Sequence, residues 1–378
     1  MASESKNKTR EIQIKEKVYT TIPFGSQHVA LPEPIKFIFD TENEIVKEIK
    51  FDIAYVHRGI EKALTTMFDF RKAPYVVGRV CGICSAAHTI PCAVVMERAI
   101  GIDREIPDRA KAIRMIALEI NRLQSHFLIN GHLAEVCGYE NVFMHIWRDR
   151  EMIMDLADML FGNRVQYDVV CVGGVNRDIP KDKERVLLDK LNEIEKSVEF
   201  MEKIFTKDRT LVSRLKGLGV VSKEMALEYG IVGPMARASG VKTDCRVEDD
   251  WGLYKDLGFE MVTMEEGDSL ARCLVRVREC YESIRIIREA IKSTEEGEIS
   301  IKVTANPKYE AVCRNEAPRG ELFYYVKGTG GIMPDRVRIR TPTLANIPIL
   351  PEVMKDVSYN DIPPLLMSFD PCIACTGR

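Results

Sequence analysis

The stretch Arg79-Val80-Cys81-Gly82-Ile83-Cys84 and a second stretch near the end of the chain, Asp370-Pro371-Cys372-Ile373-Ala374-Cys375, decide how this sequence must fold. Each carries a C-x-x-C pair, a spacing that lets two sulfurs converge on one metal ion from a single turn of backbone. Gly82 removes the side chain that would crowd the first turn. Because 288 positions separate Cys84 from Cys372, only a complete fold can bring the pairs together as one four-thiolate site.

The spacing of these cysteines does not choose the metal. Two C-x-x-C pairs most often hold structural zinc, but zinc modules usually place both pairs within one small unit. Soft thiolates also select nickel and iron, so zinc, nickel and iron all remain open at this point. The other seven cysteines stand alone or on predicted helix faces, where we interpret them as small buried apolar residues: Cys92, Cys137, Cys171, Cys245, Cys273, Cys280 and Cys313.

The composition argues against a strongly charged partner surface. The chain has 378 residues, 46% of them apolar, and its 54 basic and 57 acidic residues nearly cancel, so no nucleic-acid binding is expected. The most apolar stretch, 75–96, is interrupted by Arg79, His88 and Pro91 and is not predicted to span a membrane. No signal peptide is visible, and the eleven cysteines therefore predict reduced thiols in the cytoplasm. Membrane association is expected only through partners.

Three amphipathic segments predict long helices. Apolar residues recur at spacings of three and four along 113–127, 187–205 and 270–291, the spacing that buries one face of a helix. Pro107 is expected to open the first of them. A single stripe of this kind would also suit a coiled-coil seam, but glycine and proline between the segments favour a compact bundle.

Strand signals lie at both ends of the chain. The stretches 35–39 and 49–53 flank the turn-rich segment 40–44 and predict a hairpin or meander, and 321–326 and 337–340 are also strand-like. We therefore predict an α+β, mainly α fold with a central long-helix bundle, a small N-terminal β-meander and an irregular β-containing C-terminal segment. The predicted divisions are a flexible N-terminus at 1–17, the β-meander at 18–56, the helical bundle carrying the first cysteine pair at 57–298, and the C-terminal β/loop segment carrying the second pair at 299–378.

Two glycine-rich stretches, 172–178 and 233–240, lie between predicted helices. Neither has the glycine spacing of a P-loop or of a dinucleotide-binding loop. We interpret both as helix caps and turns.

The extended motifs Arg79-x-Cys81-Gly82-x-Cys84-x-x-x-His88 and Asp370-Pro371-Cys372-x-x-Cys375-x-x-Arg378 resemble the two signature motifs of the large subunit of nickel-iron hydrogenases. The chain from about residue 18 onward resembles the energy-converting, membrane-bound branch, which is related to the large catalytic-arm subunit of respiratory complex I. The supporting segments are 24–28, 57–62, 125–127, 173–178, 237–241, 316–320 and 340–343.

The four cysteines also distinguish two functions that this resemblance would allow. The complex I relative lacks the four thiolates, so their presence favours hydrogenase chemistry. The alternative is a non-hydrogenase, complex I-like electron-transfer or structural subunit with a four-cysteine metal site.

The resemblance implies a nickel-iron centre with cyanide and carbon monoxide on the iron. Cys81 and Cys372 would bind nickel as terminal ligands, whereas Cys84 and Cys375 would bridge nickel and iron. Four thiolates and two cyanides outweigh the charge of two divalent metals, so the centre would be anionic. We therefore expect cations nearby.

The resemblance also assigns roles around the centre. Arg319, after Pro318, matches the family arginine over the open coordination position, where its guanidinium could act as a base, polarise hydrogen or donate to cyanide. Asp370 is expected to orient Arg319, although aspartate before proline is also a common turn starter. Thr343 matches the hydroxyl that donates to a cyanide. His88 is expected to donate to the Cys84 sulfur; a buried structural histidine is the alternative.

Two glutamates complete the expected site. Glu33, 48 residues before Cys81, matches the family's proton-relay glutamate, although an exposed loop glutamate is the alternative. The best-known branch ends its second motif in histidine, which helps a glutamate matching Glu61 to hold magnesium. This chain has Arg378 there, and a guanidinium cannot ligate a cation. We expect Arg378 to replace the magnesium as an internal ion pair with Glu61.

The function implied by the resemblance is reversible oxidation of hydrogen. Iron-sulfur clusters are expected only in a separate small subunit, because no four remaining cysteines have cluster spacing. Ferredoxin and membrane ion-translocating subunits are the other implied partners. The chain would then lie peripherally on the cytoplasmic membrane face.

Overall fold

Long helices form the centre of the structure, a computed structural model that describes residues 20–27 and 33–378. The α-helices, in chain order, are α1 (Ile60–Thr66), α2 (Ala73–Val77), α3 (Ser85–Ile100), α4 (Asp108–Val136), α5 (Glu140–Phe161), α6 (Lys181–Lys207), α7 (Arg209–Leu215), α8 (Lys223–Glu228), α9 (Pro234–Ala238), α10 (Cys245–Glu248), α11 (Ser269–Ser293), α12 (Pro342–Asn346), α13 (Leu350–Met354), α14 (Ile362–Phe369) and α15 (Ile373–Thr376). The strands are β1 (Thr20–Phe24), β2 (Lys36–Glu42), β3 (Ile45–Asp52), β4 (Val170–Cys171), β5 (Gly174–Val175), β6 (Glu310–Ala317), β7 (Gly320–Lys327) and β8 (Arg336–Arg340). The predicted flexible segment 1–17 and His28 lie outside the described residues.

The three predicted helical stripes are confirmed as α4, α6 and α11, and α4 begins directly after Pro107. The bundle also contains α5, which packs against α4 and α6 and was not predicted. Its apolar residues Ile146, Ile153, Ala157 and Leu160 are buried at helical spacing, so the signal was present in the sequence. Helix α3 gave no amphipathic signal because it is buried on nearly every face.

Two antiparallel sheets flank the bundle. The N-terminal sheet has the order β1-β2-β3 and the C-terminal sheet β6-β7-β8, so the predicted meander and C-terminal strands are confirmed. Asn43 and Glu44 join β2 to β3 with φ angles of 50° and 64°, as a two-residue hairpin requires. Strands β4 and β5 form a small hairpin within the glycine-rich stretch 172–178.

One cluster of buried apolar side chains runs from the N-terminal sheet through the bundle to the C-terminal segment. Helix α3 packs against α4, β6 and β7, and α14 packs against α4 and α11. The two cysteine motifs therefore end at the same place in this core. The α+β, mainly α fold is confirmed, whereas the division at 57 and 299 stays a prediction. Within the described part of the chain, no helix is both long and apolar enough to cross a membrane.

Candidate metal centre

The four cysteines of the two C-x-x-C pairs meet in the core. The Sγ atoms of Cys81 and Cys372 are 3.4 Å apart, and those of Cys84 and Cys375 are 3.9 Å apart. All four residues are at most 2% exposed. Buried sulfurs this close form a donor set for one soft metal centre.

The first pair is held by backbone and by helix α4. Cys81 lies in an extended conformation, and the N–H groups of Ile83 and Cys84 donate to its sulfur at 3.3 and 3.2 Å. The carbonyl of Ile83 accepts hydrogen bonds from the side-chain amides of Asn121 and Gln124. Helix α3 starts immediately after Cys84, so its positive N-terminus faces the thiolates.

The second pair follows a sharp change of chain direction. Helix α14 ends at Asp370, which has φ 55° and ψ 52°, a left-handed conformation that aspartate tolerates. Pro371 cannot continue the helix. The N–H of Cys372 then donates to the Thr343 hydroxyl oxygen at 3.1 Å. That bond leaves the hydroxyl proton of Thr343 available to a further acceptor.

Arg58 joins the two pairs, a role that the sequence did not indicate although its segment supported the resemblance. Its guanidinium donates to the carbonyls of Arg79 and Val80, just before Cys81, and to that of Ala374 in the second motif. These three bonds are 2.7 to 3.0 Å long. Arg58 therefore ties together backbone segments from opposite ends of the chain.

Arg319 lies at the tip of the β6–β7 hairpin and is 5% exposed. Its Nη2 is 2.6 Å from Asp370 Oδ1, and its Nε donates to the Asp370 carbonyl. The remaining end donates to Ser125 Oγ at 3.1 Å. Asp370 thus orients Arg319, as expected from the sequence, and Pro318 is buried in the same turn.

The hairpin tip depends on a close backbone approach. Gly233 has φ 74°, and a Cβ there would lie 2.4 Å from the Arg319 carbonyl oxygen. The glycine-rich stretch 233–240, interpreted from the sequence as a cap and turn, therefore also supports the segment that carries Arg319.

Two further buried guanidiniums lie beside this pair. Arg276 Nη2 donates to the Ser368 carbonyl, and its Nε is 3.8 Å from Asp370 Oδ2. Arg272 donates to Ser368 Oγ and to backbone carbonyls, and it forms no ion pair with a carboxylate among the described residues. Burial lowers the pKa of Arg272 to about 9. Sequence analysis missed both arginines because charged residues on a helix usually face solvent.

Together these residues form a cation cluster, which we define as Arg272, Arg276, Arg319 and the carboxylate of Asp370. Arg319 and Arg276 face the Asp370 carboxylate, and Arg272 lies beside Arg276, where both contact Ser368. Buried charge without a partner is costly, so an anionic group beside the cysteines would compensate it. The cluster supplies the cations expected beside an anionic centre.

His88 contacts a different sulfur from the one predicted. Its Nε2 lies 3.6 Å from Cys375 Sγ, and its Nδ1 is 2.8 Å from the Tyr324 hydroxyl. The expectation that His88 would donate to Cys84 is wrong. Cys84 is the N-cap of α3 and has non-helical backbone angles, so it does not continue the regular helix that carries His88. Burial lowers the pKa of His88 to about 4, so the imidazole is neutral at neutral pH.

Glu33 lies beside the second pair and is only half-buried. Its Oε2 accepts a hydrogen bond from the Ala374 N–H at 2.9 Å. Burial raises the pKa of Glu33, and the nearby Cys81 acts in the same direction. The carboxyl group is therefore close to the thiolates and inclined to hold a proton.

The predicted contact between Arg378 and Glu61 is confirmed. Arg378 Nε is 3.1 Å from Glu61 Oε1, and Arg338 Nη1 is 3.0 Å from Oε2. The Ile339 N–H also donates to Oε1. The side chains of the pair are about one-fifth exposed, at 18% and 19%. Because donors occupy both oxygens of Glu61, these residues do not fit a magnesium ion.

The cysteine set fits a soft metal chemically. The hydrogen bond with Cys372 lowers the pKa of Cys81 well below the ordinary thiol value, so this sulfur ionises most readily. Contact with Cys372 raises the pKa of Cys375. A bound cation would reverse that shift, because a metal deprotonates the thiols that coordinate it.

Two family models match the chain. The model described as respiratory-chain NADH dehydrogenase, 49 Kd subunit, matches residues 137–306 and 299–378. The model described as nickel-dependent hydrogenase matches residues 58–142, which include the first cysteine pair.

Similar proteins cover nearly the whole chain. The carbon monoxide-induced hydrogenase of Rhodospirillum rubrum is 36% identical over 360 residues, 95% of this chain and 99% of that protein. The membrane-bound hydrogenase subunit alpha of Pyrococcus furiosus is 35% identical over 381 residues, 96% of this chain and 88% of that protein. A chain in the structure of the membrane-bound sulfane sulfur reductase, an archaeal respiratory membrane complex, has a TM-score of 0.90 at 30% identity and covers 96% of this chain and 100% of its own length.

These matches agree with the paired cysteine motifs and with the mainly helical fold around them. The chain belongs to the family of nickel-iron hydrogenase large subunits, in the energy-converting, membrane-bound branch that is related to the 49 kDa subunit of respiratory complex I.

Proposed function

We propose that this chain is the catalytic large subunit of a ferredoxin-linked, energy-converting nickel-iron hydrogenase that interconverts hydrogen with protons and electrons. The observation that carries the proposal is the convergence of four buried cysteines from both ends of the chain beside a buried arginine. Similarity to two proteins named as hydrogenases supports it.

The cysteines would hold the nickel-iron centre, with Cys81 and Cys372 as terminal ligands and Cys84 and Cys375 as bridges. When bound, that centre supplies the redox chemistry that splits or forms hydrogen. Thr343 keeps its hydroxyl proton free in the contacts described above, which suits donation to a cyanide on iron.

Arg319 acts as a fixed cation over the site. Asp370 and Ser125 hold its guanidinium at three points, so little reorganisation is needed when charge develops beside it. Burial opposes the charge on Arg319, but Asp370 and then the nearby thiols raise the pKa of Arg319 well above its usual value. It therefore stays protonated and serves by orientation and charge.

Glu33 carries the proton between the thiolates and solvent in this proposal. It lies at the edge of the buried site, and its raised pKa suits a group that alternately holds and releases a proton. Glu33→Gln should keep the metals but slow hydrogen/deuterium exchange by about 10²-fold or more. Exchange at the wild-type rate would remove Glu33 from the mechanism.

The partners proposed are an iron-sulfur small subunit, ferredoxin and membrane ion-translocating subunits. The similar Pyrococcus protein is named as a subunit of a membrane-bound hydrogenase, and the similar solved chain belongs to a respiratory membrane complex. These similarities support a peripheral position on the cytoplasmic membrane face.

Metal analysis combined with infrared spectroscopy of the purified complex tests the proposed function. Nickel, iron and the stretching bands of cyanide and carbon monoxide are expected in the wild type. Cys81→Ser and Cys375→Ser should lose nickel and hydrogen-dependent activity, whereas Cys92→Ala should keep both, because Cys92 is buried on α3 away from the sulfur cluster. Zinc without those bands would instead favour the complex I-like, non-hydrogenase function.

A further inference from the structure

A second buried charge cluster lies behind the hairpin that carries Arg319. We call it the carboxylate cluster, and its members are at most 3% exposed. It consists of Glu119, Asp244, Glu279, Glu316, Arg122, Arg237 and Arg246. Four carboxylates therefore face three guanidiniums. His126 adds no positive charge, because burial lowers its pKa to about 4.

Arg237 is shared among three of these carboxylates. Its guanidinium lies 2.7 Å from Glu316, 2.8 Å from Glu279 and 3.1 Å from Asp244. One guanidinium has a single positive charge, so it cannot neutralise all three.

Glu316 has the least compensation of the three. Asp244 also forms an ion pair with Arg246, whose Nη2 lies 2.8 Å away. Glu279 also forms a hydrogen bond with His126 Nε2 at 3.0 Å. Among the residues that the structure describes, the second oxygen of Glu316 accepts a hydrogen bond only from the backbone N–H of Cys245, at 3.1 Å. Of these three carboxylates, Glu316 would therefore bind a proton first.

A neighbouring carboxylate adds to this imbalance. Glu321 on β7 is the direct cross-strand partner of Glu316 on β6, and like charges directly opposite each other repel. Glu321 has its own cation, because Arg340 Nη2 lies 2.6 Å from it. Repulsion across the pair thus favours protonation of Glu316, not of Glu321.

Glu316 also borders a cavity of about 290 Å³ that Glu321 and Cys245 line with it. The rim includes Glu248 and Arg314, whose side chains are 35% and 37% exposed. A water molecule occupies about 30 Å³ in the liquid, so the cavity has room for several waters. Solvent can therefore deliver a proton to a residue that is itself buried.

We propose that Glu316 is a proton-binding site, filled from solvent through this cavity, whose charge acts on Arg319 at the metal centre. The step is an acid-base one: a hydrated proton in the cavity binds a carboxylate oxygen of Glu316, and no electron is transferred. The coupling to the centre rests on the proposed function, whereas the proton site itself does not.

The surroundings of Glu316 agree with this assignment. Burial raises the pKa of Glu316 to about 7, and Asp244 acts in the same direction against the nearby guanidiniums. The charged and titratable groups around it are Arg122 of α4, Arg237 of α9, Asp244, Cys245 and Arg246 at α10, Glu279 of α11, Arg314 of β6 and Glu321 of β7.

The backbone connects this site to the metal centre. Arg122 donates to the carbonyls of Glu316 and Ala317 at 2.6 and 3.2 Å, and Pro318 and Arg319 follow at once. Three residues of chain span at most about 10 Å. This path limits the separation of the two Cα atoms. Charges in a buried region are screened weakly, so we expect the charge on Glu316 to act on Arg319.

Infrared titration of the carboxyl C=O stretch in the purified complex tests the proton site. The wild type should show one buried carboxyl band that titrates around neutral pH. Glu316→Gln should lose that band, and Glu321→Gln, the matched change on the facing strand, should keep it. Persistence of the band in Glu316→Gln, or its absence from the wild type, would overturn the assignment.

A second variant covers the case in which Glu316→Gln does not assemble. Glu316→Asp retains a carboxyl group, and its band should remain but titrate at a shifted pH. An unchanged titration in Glu316→Asp would show that the band belongs to another residue.

The coupling has a separate readout in the cyanide stretches. The frequencies of the cyanide stretches should shift around neutral pH in the wild type, and this pH-dependent shift should be absent from Glu316→Gln. Glu321→Gln is the control and should keep the shift. A wild-type complex with cyanide bands that ignore the carboxyl titration would refute the coupling. Absence of cyanide bands would refute the proposed function and leave the carboxyl titration to be judged by itself.

Discussion

Helix α11 contributes to two buried charge clusters whose imbalances have opposite sign. The cation cluster has three guanidiniums, of which Arg319 and Arg276 face Asp370. The carboxylate cluster has four carboxylates for three guanidiniums. Arg272 and Arg276 belong to the first, and Glu279 belongs to the second. Spacings of four and three residues place all of them on one helix face.

The difference between the clusters indicates what each one lacks. A buried charge without a partner is expensive, and proteins normally pair it or neutralise it. An anion beside the cysteines would balance the cation cluster, and a proton would balance the carboxylate cluster. The two imbalances therefore point to the two charged species, an anionic metal centre and a proton, that the proposed reaction requires.

Arg319→Lys breaks the cation cluster at its point of contact with the site and should have the largest effect. Lysine keeps the charge but cannot hold Asp370 and Ser125 at the same time, because it lacks the planar fork. Turnover should fall by about 10²-fold, as when one oriented donor is lost from an active site, with nickel content unchanged. Arg336→Lys, at an exposed position on β8 of the same sheet, is the control for hydrogen-uptake assays. Near-normal turnover with intact cyanide bands would leave Arg319 only a packing role.

The carboxylate cluster predicts a pH dependence of stability that Glu316→Gln should remove. The folded-state pKa of Glu316, about 7, lies above the ordinary glutamate value of 4.5. Its stabilising contribution is therefore complete below about 4.5 and is lost as pH rises through about 7. Each pKa unit corresponds to 1.36 kcal/mol. The difference in the free energy of unfolding between wild type and variant, measured by chemical unfolding, should therefore change by up to about 3 kcal/mol across this pH range. A difference independent of pH would contradict the assignment.

Arg276→Met sharpens the comparison by reducing the cation surplus. Without metal, replacing a poorly paired buried charge by an apolar side chain should stabilise the chain by on the order of 1 kcal/mol. With metal bound, the same change should weaken nickel retention, because one balancing cation is gone. Unfolding measurements without metal should show a more stable variant, and the kinetics of nickel release to a chelator should show faster loss of nickel. Arg278→Met, on the same helix with Glu202 as its partner, should not weaken nickel retention.

Arg378→Ala should have the smallest effect. The Arg378–Glu61 pair is partly exposed, and Arg338 also holds Glu61, so the cost should stay below about 1 kcal/mol. The change should appear mainly as faster hydrogen exchange in the C-terminal segment. A loss of several kcal/mol, or recruitment of a divalent ion to Glu61 in the wild type, would contradict the view that the guanidinium replaces a metal.

The sequence predicted features that depend on local spacing. The stripes of α4, α6 and α11 and the alternation in β2, β3 and β7 follow from the periods of helix and strand. The C-x-x-C turns likewise predicted paired sulfurs. The resemblance placed Arg319 with Asp370 and paired Glu61 with Arg378, because those residues belong to recognised motifs.

The sequence alone thus determined the long helices α4, α6 and α11, the flanking strands and the two C-x-x-C turns, because each depends on spacings of a few residues. Packing decided the rest: that His88 meets Cys375, that Arg58 joins both motifs, and that polar residues of α11 are buried as two unequal charge clusters. The physical reason is that burial of a charge depends on which distant element covers it. No local period records that choice, so only the tertiary structure shows where the unbalanced charges lie.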